Sequence, residues 1–291
     1  PTTTFSNLRT FNDHLRRDGD LAVVDARVTA KLEAAEIHRR VIASGGPALL
    51  FTNVEGAAFP LATNLFGTAR RAELAFGSRP ERLIKRLVGL AETILPPTLG
   101  KLWGARGLAF EAMKIGLKTR SGGPVTEVVT GDVRLDRLPA LTTWPEDGGP
   151  FVTLPLVYTR HPATAIPNLG MYRLHVHDAR TTGMHWQIGK GGGFHYAVAE
   201  ARGEALPATV FLGGPPALIL SAIAPLPENV PELMLASLIV GERLATCPGP
   251  GAHALIAEAE FALIGQVPPN VRRAEGPFGD HYGYYSLRHD Y

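Results

Sequence analysis

Apolar positions recur along this chain with two different periods, and the change of period divides it. Leu8, Phe11 and Leu15 fall at helical spacing, and Leu21-Ala-Val-Val24 reads as a short strand after them. Lys31 to Ser44 predicts a helix carrying Leu32, Ala35, Ile37 and Val41, stopped by Gly45-Gly46. Ala48-Leu-Leu-Phe51 predicts a second buried strand. Ser78-Arg-Pro-Glu81 is a capping-box pattern with proline in the first turn, and it opens a helix that runs to about Leu95, before Pro96-Pro97. This half reads as a small α/β unit.

A linker is expected near Gly100 to Gly123. From Val125 the pattern shortens into β-like runs separated by glycine and proline: Val125 to Val129, Phe151 to Thr159, Leu169 to His177, Ala208 to Leu212 and Ala254 to Val267. One helix, about Pro231 to Leu244, interrupts them. Short strands with turn signals between them point to a barrel or sandwich. The expected class is α+β, with a small N-terminal α/β domain over 1–110 and a β-rich domain over 111–291.

Composition narrows the function classes. The chain has 291 residues, 45% of them hydrophobic, enough for a sizeable core. Its 32 glycines and 24 prolines favour turns and short strands over a helical bundle. The net charge is +2, with lysine and arginine spread out rather than gathered into a basic stripe, so a nucleic-acid partner is not expected. Cys247 is the only cysteine, which excludes intramolecular disulfides and cysteine-based zinc sites. No apolar run is long enough to span a membrane, and the N-terminal residues show no charged-then-apolar leader. A cytoplasmic protein is expected.

Candidate chemistry gathers in a few places. Alternation puts Met171, Arg173, His175 and His177 on one strand face. An inward arginine is costly unless it meets an anion, whereas a rim arginine paired with a surface acid needs no function. His175 and His177, with His185 and His195, could converge on a metal, although no carboxylate stands at matching spacing. Gly189-Lys-Gly-Gly-Gly193 could cradle a phosphate or form a flexible hairpin; it is neither a Walker A loop nor a dinucleotide fingerprint. Glu232 opens a helix after Pro225, Pro227 and Pro231, where it complements the helix dipole or binds a cation. Glu275-Gly-Pro-Phe-Gly-Asp280-His-Tyr-Gly-Tyr-Tyr285 carries two acids in a run that glycine and proline bar from helix. Two acids in different surroundings can serve as one proton donor and one ionised partner.

Taken in order, these segments resemble the UbiD-type decarboxylases, which use prenylated FMN. Asn168-Leu-Gly-Met-Tyr-Arg173 is similar to the family's Asn-x-Gly-x-Tyr-Arg strand. Pro225-Leu-Pro-Glu-Asn-Val-Pro-Glu232 is similar to its proline-rich entry into a helix bearing a metal-binding glutamate. The Glu275 segment is similar to its Glu-Gly-Pro-x-Gly-Asp/Glu signature. Leu138-Pro-Ala-Leu-Thr-Thr-Trp-Pro-Glu-Asp-Gly-Gly-Pro150 and Met184-His-Trp186 fit as well, so the resemblance covers nearly the whole chain.

The resemblance implies that the β-rich domain is a flavin-binding split β-barrel. It implies reversible, non-oxidative decarboxylation of a small aromatic or α,β-unsaturated (acrylic) acid. By the same resemblance Arg173, Glu275 and Asp280 are catalytic, with Glu275 paired to the arginine and Asp280 the proton donor. Asn168, Met171, Tyr172, Arg173, Lys190, Ser221, Ala222 and Glu232 would surround the cofactor. Asn168 and Glu232 would hold Mn2+ or Mg2+, and backbone near Ser221 and Ala222 would bind K+. A prenyl-FMN synthase would supply the cofactor, and the protein would be a homo-oligomer. Two departures accompany this. No histidine stands in Gln187-Ile-Gly189-Lys190, where members commonly place a metal ligand. Members also continue for about another domain past the Gly-Tyr-Tyr segment. A catalytically incomplete flavin-binding fragment or subunit, and a histidine-based metal hydrolase or lyase, are the alternative expectations.

Overall fold

The computed structural model of the chain describes residues 5–77, 115–187, 189, 191–226, 231–280 and 282–290. The expected helix from Ser78 to Leu95, Lys190 and the Pro227 to Val230 stretch lie outside the described residues.

Phe11 and Leu15 turn inward from α1 (Leu8–Arg17), whose first turn is closed by the Asn7 side chain accepting the Thr10 N–H. They pack on a small sheet, β1 (Leu21–Val24), β2 (Ala48–Phe51) and β3 (Leu61–Thr63), in which β1 and β2 run parallel and β3 antiparallel. Helix α2 (Glu33–Ala43) covers the other face through Ala34 and Ile37. It ends where Gly45 takes a φ of +66°, a left-handed turn that glycine adopts without a Cβ penalty. A third helix, α3 (Ala69–Phe76), lacks an obvious apolar period. It is held instead by the buried Arg71, which donates to Asp20 and to the Gly46 carbonyl.

The rest of the described chain is built from short, mostly antiparallel sheets and three α-helices. Strand β4 (Leu117–Thr119) runs parallel to β11 (Leu244–Cys247), which pairs with β12 (Leu255–Ile256). Strands β6 (Leu156–Arg160), β7 (Pro167–Met171), β10 (Leu206–Leu212) and β13 (Phe261–Val267) form a sheet in the order β13-β10-β6-β7. A second sheet joins β5 (Phe151–Val152), β8 (Leu174–Val176) and β9 (Thr182–Met184). Helices α4 (Gly191–Ala201), α5 (Pro216–Ile223) and α6 (Glu232–Val240) pack around β7. The largest core cluster lies where α5 and α6 meet β6, β7 and β11. Two ribbons finish the described chain: β14 (Ala274–Glu275) with β17 (His289–Asp290), and β15 (Phe278–Gly279) with β16 (Tyr285–Ser286). The mixed α+β class is as expected.

Several local expectations are corrected. Val125 to Val129 is not a strand: Pro124–Thr126 is a 3-10 turn closed by the Thr126 hydroxyl on the Gly123 backbone, and Val128 and Val129 are exposed. Leu169 to His177 is two strands, because the chain leaves one sheet and enters another at Tyr172 and Arg173. The single alternating face proposed for Met171 through His177 is therefore broken. The helix expected to reach Leu244 stops at Val240, where Gly241 takes a left-handed φ of +82°, and Leu244 begins β11. The glycine run after residue 190 starts α4 rather than a hairpin. Among the described residues no helix is long and apolar enough to cross a membrane.

Candidate functional site

Arg173 stands at the junction between the β13-β10-β6-β7 sheet and the β5-β8-β9 sheet, just past the end of β7. Its Nε donates to Glu275 Oε1 at 2.8 Å and its Nη2 to Oε2 at 3.0 Å, a planar fork on a carboxylate 102 positions later. Glu275 is fully buried, and the arginine side chain is 14% exposed. Nη2 also donates to Ser286 Oγ at 3.1 Å, and the guanidinium lies 4.3 Å over the Phe278 ring. Burial pushes the Glu275 carboxyl up, but the His185 ring and the Arg173 guanidinium more than offset it and hold it at about 2. By distance the guanidinium is the stronger of the two partners, since His185 Nδ1 stands 3.4 Å from the carboxylate.

The sign of this shift gives a prediction. A folded pKa near 2 against an ordinary 4.5 means that the stabilisation is complete above pH 4.5. It is lost as pH falls from there towards 2. It amounts to about 3 kcal/mol at neutral pH. Urea midpoints measured across the acid limb should fall steeply in the parent protein and less so in Glu275→Gln; parallel limbs would remove Glu275 as the source.

The loop that holds Glu275 is braced from a distant segment. Asp147 accepts the N–H groups of Thr143 and Trp144 with one oxygen and that of Gly279 with the other, all at 2.8 Å. The Gly148 N–H donates to the Pro277 carbonyl at 2.8 Å. Trp144 is in turn covered by Arg39 of α2, which lies 4.3 Å over its ring and donates to the Thr143 carbonyl. The N-terminal unit therefore reaches the site through this segment, which also exchanges backbone hydrogen bonds with Ala30 and Leu32 at Thr142. Sequence reasoning noted this segment but assigned Asp147 no part; an acid four residues after Thr143 in a glycine- and proline-rich loop was the available signal.

Asp280 lies at the turn between β15 and β16, where its Oδ1 accepts the Tyr282 N–H at 3.0 Å and its own N–H donates to the Tyr284 carbonyl. The structure thus places the two acids of the segment in different surroundings, one fully buried in a fork and one on a half-buried turn.

A second grouping surrounds β7. Glu232, the first residue of α6, accepts the Leu169 N–H at 2.9 Å, which brings its carboxylate beside Asn168. Burial raises the Glu232 carboxyl, and the Leu169 and Glu232 backbone N–H groups pull it back only in part. Asn168 is buried, and its Nδ2 has no hydrogen-bond partner. The start of α4 faces the same place: the Gly192 N–H donates to the Tyr172 hydroxyl at 3.0 Å. A Cβ on Gly191 would stand 2.1 Å from Asn168 Oδ1, and one on Gly192 would meet Trp186 and Tyr172 at 2.7 and 2.9 Å. Only glycine lets the first turn come this close. Ser221 and Ala222 are buried near the end of α5, which packs on β7; the Ser221 hydroxyl donates to the Ala217 carbonyl. Met171 ends β7, half-buried against the main core.

A half-buried carboxylate pushed up by desolvation, beside the Oδ1 of a buried amide, fits a hard cation, which both oxygens can ligate. The N–H groups of the adjoining glycine turn fit an oxyanion such as a flavin phosphate. The histidines do not form the metal cluster raised as an alternative. His175 and His177 lie against each other with ring centroids 4.5 Å apart, and His195 bonds Thr159 instead. Among the described residues no group of three or more His, Cys, Asp or Glu side chains could hold a metal ion.

Comparison with known proteins gives the same outline. Residues 117–291 match the model of the 3-octaprenyl-4-hydroxybenzoate carboxy-lyase Rift-related domain, and residues 12–91 match that of the N-terminal domain of the same enzymes. A protein of Chlamydia pneumoniae named as a subunit of 4-hydroxybenzoate decarboxylase is 50% identical over 289 residues, 98% of this chain and 49% of that protein. An uncharacterized protein of Archaeoglobus fulgidus is 40% identical over 285 residues, 97% of this chain and 59% of that one. Among solved structures, an evolved dimeric form of the UbiD-class enzyme HmfF from Pelotomaculum thermopropionicum, in complex with prFMN, superposes with a TM-score of 0.84 at 25% identity. That match covers 98% of this chain and 63% of the other. The closed form of Sedimentibacter hydroxybenzoicus vanillic acid decarboxylase shares the fold, with a TM-score of 0.82 at 22% identity over 99% of this chain and 60% of that one. The chain spans about half the length (49%) of the chlamydial relatives it matches.

Proposed function

This chain belongs to the UbiD family of 3-octaprenyl-4-hydroxybenzoate carboxy-lyases, and from that premise we propose that it carries the flavin-binding and acid–base part of a prenylated-FMN decarboxylase. The observation that carries the reading is the buried Arg173–Glu275 fork, which lies at one end of β7 while the Asn168–Glu232 pair lies on that strand towards its other end.

In this reading prenylated FMN, when bound, supplies the electron sink for loss of CO2 from a small aromatic or acrylic acid. The chain's own residues do the rest. Arg173 orients the substrate carboxylate while keeping Glu275 ionised. With its carboxyl held at about 2, Glu275 carries no proton near neutral pH, so Asp280 is the residue assigned to protonate the carbon that lost CO2. Asn168 and Glu232 would hold Mn2+ or Mg2+, and the glycine turn of α4 would receive the flavin phosphate. Met171 and Tyr172 flank the cofactor, and carbonyls at the end of α5 near Ser221 and Ala222 suit K+, since a helix C-terminus is electronegative. A prenyl-FMN synthase supplies the cofactor. The chlamydial relative is named as one subunit of its enzyme, which supports a further partner chain, and self-association is proposed alongside it.

The test is co-expression with a prenyl-FMN synthase, followed by an absorption spectrum and a panel of aryl and acrylic acids assayed for CO2 release and substrate H/D exchange. A chain that takes up no flavin overturns the reading. Flavin retained without exchange or CO2 release favours the second reading, a flavin-binding portion that needs further chain or a partner, which the half-length coverage supports. Glu232→Ala should weaken Mn2+ binding in the presence of FMN about tenfold or more, measured by titration with electron paramagnetic resonance. Equal affinity would remove Glu232 from the metal site.

A further inference from the structure

His185 lies directly across from Arg173 on the neighbouring strand: Leu174 pairs with Met184, and the His185 N–H donates to the Arg173 carbonyl at 3.2 Å. Its ring reaches into the ion pair. Nδ1 is 3.2 Å from Arg173 Nη2 and 3.4 Å from Glu275 Oε2, while those two atoms are 3.0 Å from each other. One ring nitrogen therefore faces a group that can only donate and a group that, when ionised, can only accept. It cannot serve both at once.

We propose that His185 is a positioning residue that switches the hydrogen bonding of the Arg173–Glu275 pair with its own protonation. With Nδ1 bare and the proton on Nε2, the ring accepts one Nη2 proton of Arg173, the arrangement that the shorter of the two distances favours. When Nδ1 takes up a proton it turns from acceptor to donor, and its partner becomes Glu275 Oε2. Arg173 Nη2 then loses the ring as an acceptor and directs its two protons to Glu275 Oε2 and Ser286 Oγ alone. The balance is simple: one proton enters from solvent, one N–H···N contact breaks, and one N–H···O contact forms. The site gains one positive charge. The value of this to an acid substrate rests on the function proposed above; the exchange itself does not.

Charged groups facing the ring include Arg173 beside β8 and Glu275 of β14, and the Ser286 hydroxyl of β16 also contacts Arg173. His175 and His177 of the β8 segment feel the same carboxylate, but burial lowers both. The two charged neighbours act on the His185 proton in opposite senses, which makes the proposal testable without flavin or turnover.

The experiment is a pH titration of 15N-histidine-labelled protein, reading the ring nitrogens of His185 by NMR. The unmodified protein should show a bare Nδ1 at high pH and a proton there below the transition. Glu275→Gln removes the anion and should lower the midpoint by about one unit; Arg173→Gln removes the cation and should raise it by a similar amount. If one variant does not fold, the other and the tautomer of the parent still decide. Overturning results are an Nδ1–H tautomer throughout, or a midpoint that neither variant moves. Because no cofactor is used, failure here leaves the decarboxylase reading standing, and loss of that reading leaves this result standing.

Discussion

Arg173→Ala is expected to destabilise the protein by about 3–5 kcal/mol, the cost of leaving a buried carboxylate without its partner. Glu275 is fully buried and receives both arms of the guanidinium, so little solvent is available to replace them. For a chain of this size the loss corresponds to a fall in melting temperature of roughly 5–15 °C. The comparison that makes this specific is the double variant Arg173→Met, Glu275→Leu. Removing both charges should recover most of the stability, because a buried ion pair is often no better than apolar groups of similar volume. Denaturant midpoints of the two variants test it, and a double variant as unstable as the single would show that the loss is packing rather than charge. Flavin-loaded Arg173→Ala should show no turnover; full activity would remove the proposed role.

Gly148→Ala should have the next largest effect, although residue 148 carries no chemistry. A Cβ there would stand 2.0 Å from the Gly276 carbonyl oxygen and 2.5 Å from its carbon. Both are backbone atoms next to Glu275, so the clash cannot be relieved by turning a side chain. The cost is expected at about 3 kcal/mol or more, the upper range for overpacking. The relief available is for the Gly276-Pro277 stretch to move, which withdraws Glu275 from Arg173 and breaks the bond from the Gly148 N–H to the Pro277 carbonyl. The variant should therefore also lose part of the acid limb that depends on Glu275. Gly131→Ala, where nothing lies within 4 Å, is the control and should change stability by about 0.5 kcal/mol or less. Equal midpoints for both variants would overturn the close-approach argument.

The metal and histidine predictions depend on different atoms. Glu232→Ala acts near Asn168 on β7, and the His185 titration acts beyond the other end of that strand. The two can fail independently.

Much of the site was legible from residue types. An arginine after Asn-Leu-Gly-Met-Tyr, a glutamate opening a helix after prolines, and two acids in a glycine–proline run are local features. Other parts were not legible for physical reasons. Helix α4 begins with Gly191-Gly192-Gly193, which counts against helix in any propensity scale; packing against Asn168, Tyr172 and Trp186 overrides that cost because no Cβ fits. The strand assumed to run from Leu169 to His177 alternates acceptably as one piece, and nothing local marks the change of sheet at Tyr172 and Arg173. Asp147 looks like an ordinary turn acid until its second oxygen is seen to hold Gly279, 132 positions away.

By itself the amino-acid sequence determined which chemical groups are present, the short elements of the first sixty residues, and the membership implied by three motifs in order. These are properties of neighbouring residues, where period, capping and turn chemistry act. Only the tertiary structure decided how those groups meet. It paired Arg173 with Glu275 rather than with a surface acid, so that this buried carboxylate stays ionised, and set His185 Nδ1 beside the two. The reason is that hydrogen bonds of this kind depend on distances of a few tenths of an ångström between strands far apart in the chain. No local period encodes such distances, and the low dielectric that gives them their strength exists only once the core has closed around them.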